Sequence, residues 1–466
     1  MSNENQIESD QNNLKRSMPV SHIAMIGIGG TIGTGLFLSS GYTMSNAGPG
    51  GTLVSYAFGG LIMYLMMLCL GELIVAIPDA GGIQTFTNRF LNRNMGFTVG
   101  WIRWLSLVIT VPTQLVASSI IMKNIFPSIS EIVWIILFMV LLFFLNFRSA
   151  TDFGKFNNLF SSIKLIFIAV FIVVGLGMIL GIGQSEPIGF SNFTAHGGLF
   201  PNGGRAVLQT MMVSAFAFGG ADQIATAASE SANPSVDMPK AIRTVMIGLL
   251  FAYFASFVVI LAILPWNQAD LTGSPFAYIF RAAGFESAEL LVNIVVLTSA
   301  LSSANSFVYG SIRSLWALGK EKQAPKWVTT VDTKGLPRNS LMVVFGFSIL
   351  AVASAFISPD VVYLFLQSII GISNMVIYIL YAICLIRFRN DMKTQNIALD
   401  TLEYKIKGYP LVPYSLLILC LFVFVGMAFD PTQTTALVMG IPTYIIIYVI
   451  GAMYYRKLMR ENAKDA

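Results

Sequence analysis

Residues 26–37 read IGIGGTIGTGLF and residues 216–223 read FAFGGADQ, each inside a long apolar stretch. Gly27, Gly29, Gly30, Gly33 and Gly35 crowd the first, and Gly219 and Gly220 the second, followed at once by the carboxylate of Asp222. Glycine weakens a helix by up to ~1 kcal/mol per residue relative to alanine. Backbone that unwinds at membrane depth persists only where it lines a protected or wet cavity, because lipid offers its N–H and C=O groups no partner. The two stretches therefore predict helices interrupted midway and facing a common interior. A close-packed seam of small residues is the competing reading, and Gly29 with Gly33 alone would supply one. The remaining glycines exceed what a seam requires.

Outward from these breaks the chain keeps the same character. Of its 466 residues, 55% are hydrophobic and only 11% charged, against roughly 25% charged in soluble domains, so most of the surface must face lipid. The hydropathy pattern predicts an all-α polytopic membrane protein of twelve transmembrane helices, at 22–46, 49–77, 96–125, 131–147, 157–183, 204–230, 242–264, 288–318, 340–357, 361–388, 410–428 and 434–456. A single membrane domain, 22–456, follows, between a cytoplasmic N-terminal tail at 1–21 and a cytoplasmic C-terminal tail at 457–466. An even number of spans puts both termini on one side. With that side cytoplasmic, only Lys123 and Arg281 of the 28 basic residues lie clearly outside, while Arg103, Lys164 and Arg205 lie within or at the edge of spans. So large an asymmetry fixes the orientation. The net charge of +5 then reports topology, and nucleic acid is not an expected partner. Cys69, Cys384 and Cys420 fall inside apolar runs and read as buried small residues rather than a disulfide framework. No removed signal peptide is expected.

The breaks fall in the first and the sixth span, the layout of an inverted repeat with its ligand near the midplane. Residues 22–183 would form the first repeat and 204–388 the second, with helices 11 and 12 (410–456) outside. Further motifs carry a resemblance. Beside IGIGGTIGTGLF stand AGPGG at 47–51, LGEL at 70–73, SSIKLIF at 161–167, GLFPNG at 198–203, ASESANP at 228–234, LPWNQ at 264–268 and LTSALSSANSFVYGSIR at 297–313. Across about the whole membrane region, this set resembles the bacterial, proton-coupled amino acid permeases of the amino acid, polyamine and organocation superfamily. The resemblance implies a five-plus-five inverted repeat with discontinuous helices 1 and 6, plus two additional helices. It also implies a secondary active transporter in the cytoplasmic membrane that imports an amino acid by alternating access, coupled to protons. An amino acid exchanger is the alternative, and a non-transporting sensor a weaker one for want of a sizeable soluble signalling domain. No enzyme is expected: the sequence holds no HExxH motif, and His22 and His196 sit at span edges. The expected partners are the amino acid, the proton and the bilayer, with no cofactor, no metal and no obligatory protein partner.

An amino acid presents a carboxylate, an ammonium and a variable side chain. Where span 1 unwinds, the N–H groups around Ile28, Gly29, Gly30, Thr31, Gly33, Thr34 and Gly35, and the positive end of a helix beginning near Gly33, suit the carboxylate. Hydroxyls of Thr31 and Thr34 would add donors. Carbonyls at the same break and at Phe216, Ala217 and Phe218 suit the ammonium. Phe216, Phe218, Ser302, Asn305 and Ser306 are pocket candidates, with packing or helix–helix hydrogen bonding as the alternative for each. Arg103 stands where the family usually has an aromatic residue and Asp222 where it usually has glutamate. A cation at bilayer depth needs a partner, either Asp222 or the substrate, and mutual pairing would favour a neutral amino acid. For coupling, the ammonium of Lys164, seven residues into span 5, needs a fixed counter-group or a reversible charge. The resemblance places it where sodium-dependent relatives hold a cation between helices 1, 5 and 8. Glu230 and Asp222 are further proton-coupling candidates, Glu230 alternatively bracing the end of span 6. Glu72 reads as a structural ion-pair partner.

Overall fold

The computed structural model describes residues 18–78, 81–147, 150–182, 186–269, 274–285, 288–332, 336–428 and 431–462. Among these residues the regular structure is helical, apart from an isolated parallel bridge between Met18 and Ser231. Seven helical segments are long and apolar enough to cross a bilayer: Ser39–Ala76, Arg93–Ile125, Asn157–Ile179, Pro234–Ile263, Leu290–Lys320, Val361–Thr394 and Leu437–Lys457. Shorter apolar helices occupy Val20–Thr31, Glu131–Asn146, Arg338–Ala353 and Leu411–Met427.

The first predicted span is three pieces: α1 (Val20–Thr31), α2 (Thr34–Phe37) and the opening of α3 (Ser39–Ala76). Helix α3 turns a corner at Gly48, whose φ of 70° and ψ of −177° lie outside the helical region. That left-handed φ favours glycine, and a Cβ there would also strike the ring of Pro201. Pro49 follows, and the N–H of Gly50 donates to the carbonyl of Leu199 at 2.8 Å. The AGPGG run is thus the corner between the first two predicted spans.

The chain continues through α4 (Ile83–Phe90), α5 (Arg93–Ile125), α6 (Glu131–Asn146), α7 (Ala150–Ile179) and α8 (Gly203–Ala217). After a 3₁₀ stretch at Ala221–Glu230 come α9 (Pro234–Ile263), α10 (Pro275–Ala282), α11 (Ala288–Lys320), α12 (Arg338–Ser348), α13 (Pro359–Thr394), α14 (Leu411–Met427) and α15 (Pro431–Asn462). Helices α4 and α10 fall in connections that hydropathy treats as loops. Several helices also outrun their apolar cores: α9 starts at Pro234, not 242, because proline in its first turn and Asp237 open a helix well in water.

Helix α5 forms the axis of the molecule and α15 its periphery. The apolar window of α5 is 89% buried and that of α15 only 17%, so the first packs against protein nearly all round and the second offers its side chains to lipid. Tyr56, Phe218, Tyr253 and Phe257 form an aromatic stack joining α3, the second break and α9, with the Tyr56–Phe257 centroids 3.9 Å apart and the Phe218–Tyr253 centroids 4.5 Å apart. At one end of the bundle Glu72 takes both a side-on pair of contacts from the Arg389 guanidinium and the N–H of Ile406 at 2.8 Å. The expected structural pairing of Glu72 therefore ties α3 to α13 and to the chain leading into α14.

Candidate functional site

Helix α1 stops at Thr31, Ile32 is extended at φ −74° and ψ 96°, and α2 restarts at Thr34. The last carbonyls of a helix have no partner within it. Here side chains from three other helices supply one to each. The ammonium of Lys164 on α7 donates to the carbonyls of Gly29 at 2.9 Å and Ile32 at 2.8 Å. On α11, Ser303 donates to Gly30 at 3.1 Å and Ser299 to Ile32 at 3.1 Å, while Tyr253 on α9 donates to Thr31 at 3.3 Å. Lys164 is 1% exposed, and its nitrogen faces carbonyl dipoles. That nitrogen sits where α7, the break after α1 and Ser299 of α11 meet at the Ile32 carbonyl. The carbonyls expected to await a substrate ammonium are, in this conformation, engaged by the protein's own donors.

The second break lies against the first. Helix α8 ends at Ala217, Gly220 takes the left-handed conformation at φ 100°, and the 3₁₀ stretch begins at Ala221. A Cβ on Gly35 would come within 2.7 Å of the Ala217 Cα, and one on Gly220 within 3.0 Å of the Gly30 carbonyl oxygen. Glycine at these positions lets the two unwound segments touch. Tyr253 joins them, donating to the Ala217 carbonyl at 2.6 Å as well as to Thr31.

Between the breaks is a cavity of about 10 Å³, room for about one water, lined in part by Gly30, Thr31, Gly35, Ala217 and Gly219. Thr110, Gln114, Phe307, Ile370 and Asn374 complete the lining; of these only Phe307 falls within one of the sequence motifs, the 297–313 run. Gln114 is the central one: it accepts from Thr34 at 2.9 Å and donates to Ser303 at 3.2 Å. Thr34 in turn accepts from Tyr363 at 3.1 Å. The Thr31 hydroxyl instead bonds back to Gly27 at 2.8 Å within its own helix.

Four of the pocket candidates lie elsewhere. The ring of Phe218 is in the aromatic stack. Asn305 accepts from Asn146 of α6 at 2.6 Å, on the side of α11 away from α1. The hydroxyl of Ser302 makes no hydrogen bond among the described residues. Ser306 donates to Asn157, which with Ser161 donates to the Met25 carbonyl of α1. The side chains of Phe216 and Glu230 lie outside the described residues.

Arg103 and Asp222 stand 3.0 Å apart, their side chains 8% and 0% exposed. The approach misses hydrogen-bond direction, so Nη2 of Arg103 and both carboxylate oxygens of Asp222 make no hydrogen bond among the described residues. Arg103 precedes Thr110 by two turns of α5, about 10 Å along the axis, which sets the pair beside the cavity rather than in its wall. Tyr378 and Tyr381 of α13 lie within electrostatic reach of both charges. Among the described residues no cluster of His, Cys, Asp and Glu has the makings of a metal site.

Known proteins resemble this chain in sequence. A family profile described as "Amino acid permease" matches residues 22–464. A putative histidine permease of Bacillus subtilis is 39% identical over 447 residues, covering 95% of this chain and 94% of the relative. The amino-acid permease RocC of the same organism is 37% identical, covering 98% of each. The lysine-specific permease LysP of Escherichia coli is 34% identical, covering 93% of this chain and 92% of the relative. With its apolar helices of membrane-crossing length, the chain is a multi-pass membrane protein, and it belongs to the amino acid permease family of the amino acid, polyamine and organocation superfamily, whose members are transporters and not enzymes.

Proposed function

We propose that this chain is a secondary active transporter of the cytoplasmic membrane that imports an amino acid by alternating access, coupled to protons. In this reading it has twelve spans and cytoplasmic termini, with 22–183 and 204–388 as inverted repeats and 410–456 as two additional helices. The observation that carries it is the ammonium of Lys164 on the Gly29 and Ile32 carbonyls. A protonated lysine holds the break of the first span where a bound cation otherwise would, and its deprotonation frees the break to move. The substrate carboxylate would take the amides from Gly33 to Gly35 with the Thr34 hydroxyl, and its ammonium the carbonyls about Ala217 and Gly219. A cavity fit for one water holds no amino acid, so admission requires the two breaks to separate, which is a conformational step of the kind alternating access supplies. Arg103 and Asp222 neutralise one another, which favours a substrate whose side chain is uncharged. Histidine is the first candidate, since relatives at 39% and 32% identity are named histidine permeases.

The test is uptake into proteoliposomes of each common amino acid, radiolabelled, with an imposed pH gradient and with equal pH on both sides. Accumulation of one neutral amino acid that collapses with the gradient is expected. Accumulation indifferent to the gradient, with rapid exchange against internal substrate, would make the protein an exchanger. Absence of movement alongside tight binding would make it a sensor.

A further inference from the structure

Away from the breaks, a cleft of about 560 Å³ opens where α4, α5, α11 and α15 meet. Arg89, Arg93, Lys320 and Lys322 line it against one carboxylate, Glu321. All four cations are exposed, and none is ion-paired to a described acidic residue. Like charges gathered in a concavity focus a positive potential that draws an anion. Arg93 is the first residue of α5, a helix of 33 residues, at the end whose dipole repels a cation. Helix electrostatics therefore does not account for it, and the dipole adds to the field.

The cleft is also built. Its floor is Gln323, 5% exposed, which accepts from Gln84 at 2.8 Å and donates to the Tyr455 hydroxyl at 2.8 Å. Tyr454 donates to the Lys322 carbonyl at 2.6 Å, and Lys322 itself is held at φ 58°. That left-handed residue closes the end of α11, where the Lys322 N–H donates to the Gly319 carbonyl at 3.0 Å and the Gln323 N–H to the Leu318 carbonyl at 2.8 Å. Trp101, whose indole donates to the Gln323 carbonyl at 3.2 Å, and the two tyrosines put the cleft among side chains that favour headgroup depth. The anion most abundant at that depth is a lipid phosphate, and basic pockets between spans on the cytoplasmic face take such headgroups.

We propose that this cleft binds the phosphate-bearing headgroup of an anionic membrane lipid. The headgroup joins the α4–α5 corner to the ends of α11 and α15. The full chain, purified in a neutral detergent, would be titrated with short-chain phosphatidylglycerol, with phosphatidylcholine of the same chain length and with inorganic phosphate, reading bound mass by native mass spectrometry and unfolding temperature. One saturable phosphatidylglycerol per chain is expected, with affinity about tenfold or more weaker in R93Q/K322Q, as the loss of two cations near an anionic group predicts. K240Q, which removes an exposed cation elsewhere, and the charge-preserving R93K/K322R should bind as the wild type does. Equal phosphatidylglycerol affinity in R93Q/K322Q, or equal affinity for phosphatidylcholine in the wild type, would overturn the proposal. Inorganic phosphate that binds as tightly and displaces the lipid would overturn the lipid assignment in favour of a soluble anion.

Discussion

At the first break, carbonyls from Gly29 to Ile32 meet donors from α7, α9 and α11. Just beyond the second, Arg103 and Asp222 face one another across 3.0 Å with no hydrogen bond between them. Both are polar groups removed from water, yet one set is satisfied and the other is merely neutralised. A buried group that has its partner resists displacement, and one that lacks it retains an unmet demand of about 1–3 kcal/mol. The first break is therefore the fixed point of this conformation. Among the described residues, the Arg103–Asp222 pair is a place where a hydrogen-bonding ligand group or a change of packing has something to gain.

The most severe test of that contrast breaks the pair. Asp222→Asn or Arg103→Met alone strands a buried charge, and each should lower stability by about 3–5 kcal/mol, whereas replacing both should restore most of it. Thermal unfolding in detergent of the two single variants and the double variant measures this. Double-variant stability no better than either single would mean that the two charges do not act as a pair.

Next in size is Lys164→Met, which leaves the Gly29 carbonyl without a donor while Ser299 still serves Ile32. A stability loss of about 1–3 kcal/mol is expected. Gradient-driven accumulation should fall to background while exchange of internal for external substrate persists. Full accumulation by Lys164→Met vesicles would remove the lysine from the coupling mechanism.

The glycines divide by what they meet. A Cβ on Gly35 would press on Ala217 backbone at 2.7 Å, whereas one on Gly33 would meet side-chain ends of Gln114 and Ser303 at 3.0 Å. Backbone yields less than a side chain, so Gly35→Ala should destabilise by about 1–3 kcal/mol and abolish uptake. Gly33→Ala should retain stability and weaken only substrate affinity, read as KM in vesicles. Equal effects of the two would mean that the breaks do not touch as tightly as these distances state.

Both breaks are legible in sequence because so dense a run of glycine at membrane depth weakens the helix beyond what packing alone requires, and Lys164 because an ammonium in an apolar span must have a partner. The lining residues are not. Thr110, Gln114 and Asn374 are polar residues in helices rich in Ser and Thr, many of whose hydroxyls only bond back one turn, as Thr110 does to Ser106 at 2.8 Å. Nothing in the spacing says which of them turns to a cavity. Helices α4 and α10 escape hydropathy because eight-residue segments are too short to register as spans, and their helicity rests on packing rather than length.

The finest ambiguity, and the smallest expected effect, is rotational. Ser299, Ser302, Ser303, Asn305 and Ser306 lie within little more than two turns of α11, where each residue advances about 100° around the axis. Ser299, Ser303 and Ser306 fall within one narrow sector and reach α1 or its neighbour Asn157. Ser302 lies at the margin of that sector, and Asn305 is carried round to Asn146. Sequence alone favours Ser302 and Asn305 for the pocket and passes over Ser299, since only packing sets the helix rotation. Removing a hydrogen-bonded hydroxyl should remove about 0.5–1.5 kcal/mol, so Ser299→Ala should cost that much and raise KM modestly. Ser302→Ala, whose hydroxyl has no partner to lose among the described residues, should be neutral or slightly stabilising. A Ser302→Ala variant that impairs uptake more than Ser299→Ala would mean that α11 turns during transport and brings Ser302 toward the first break, making the face seen here one of two that the helix presents.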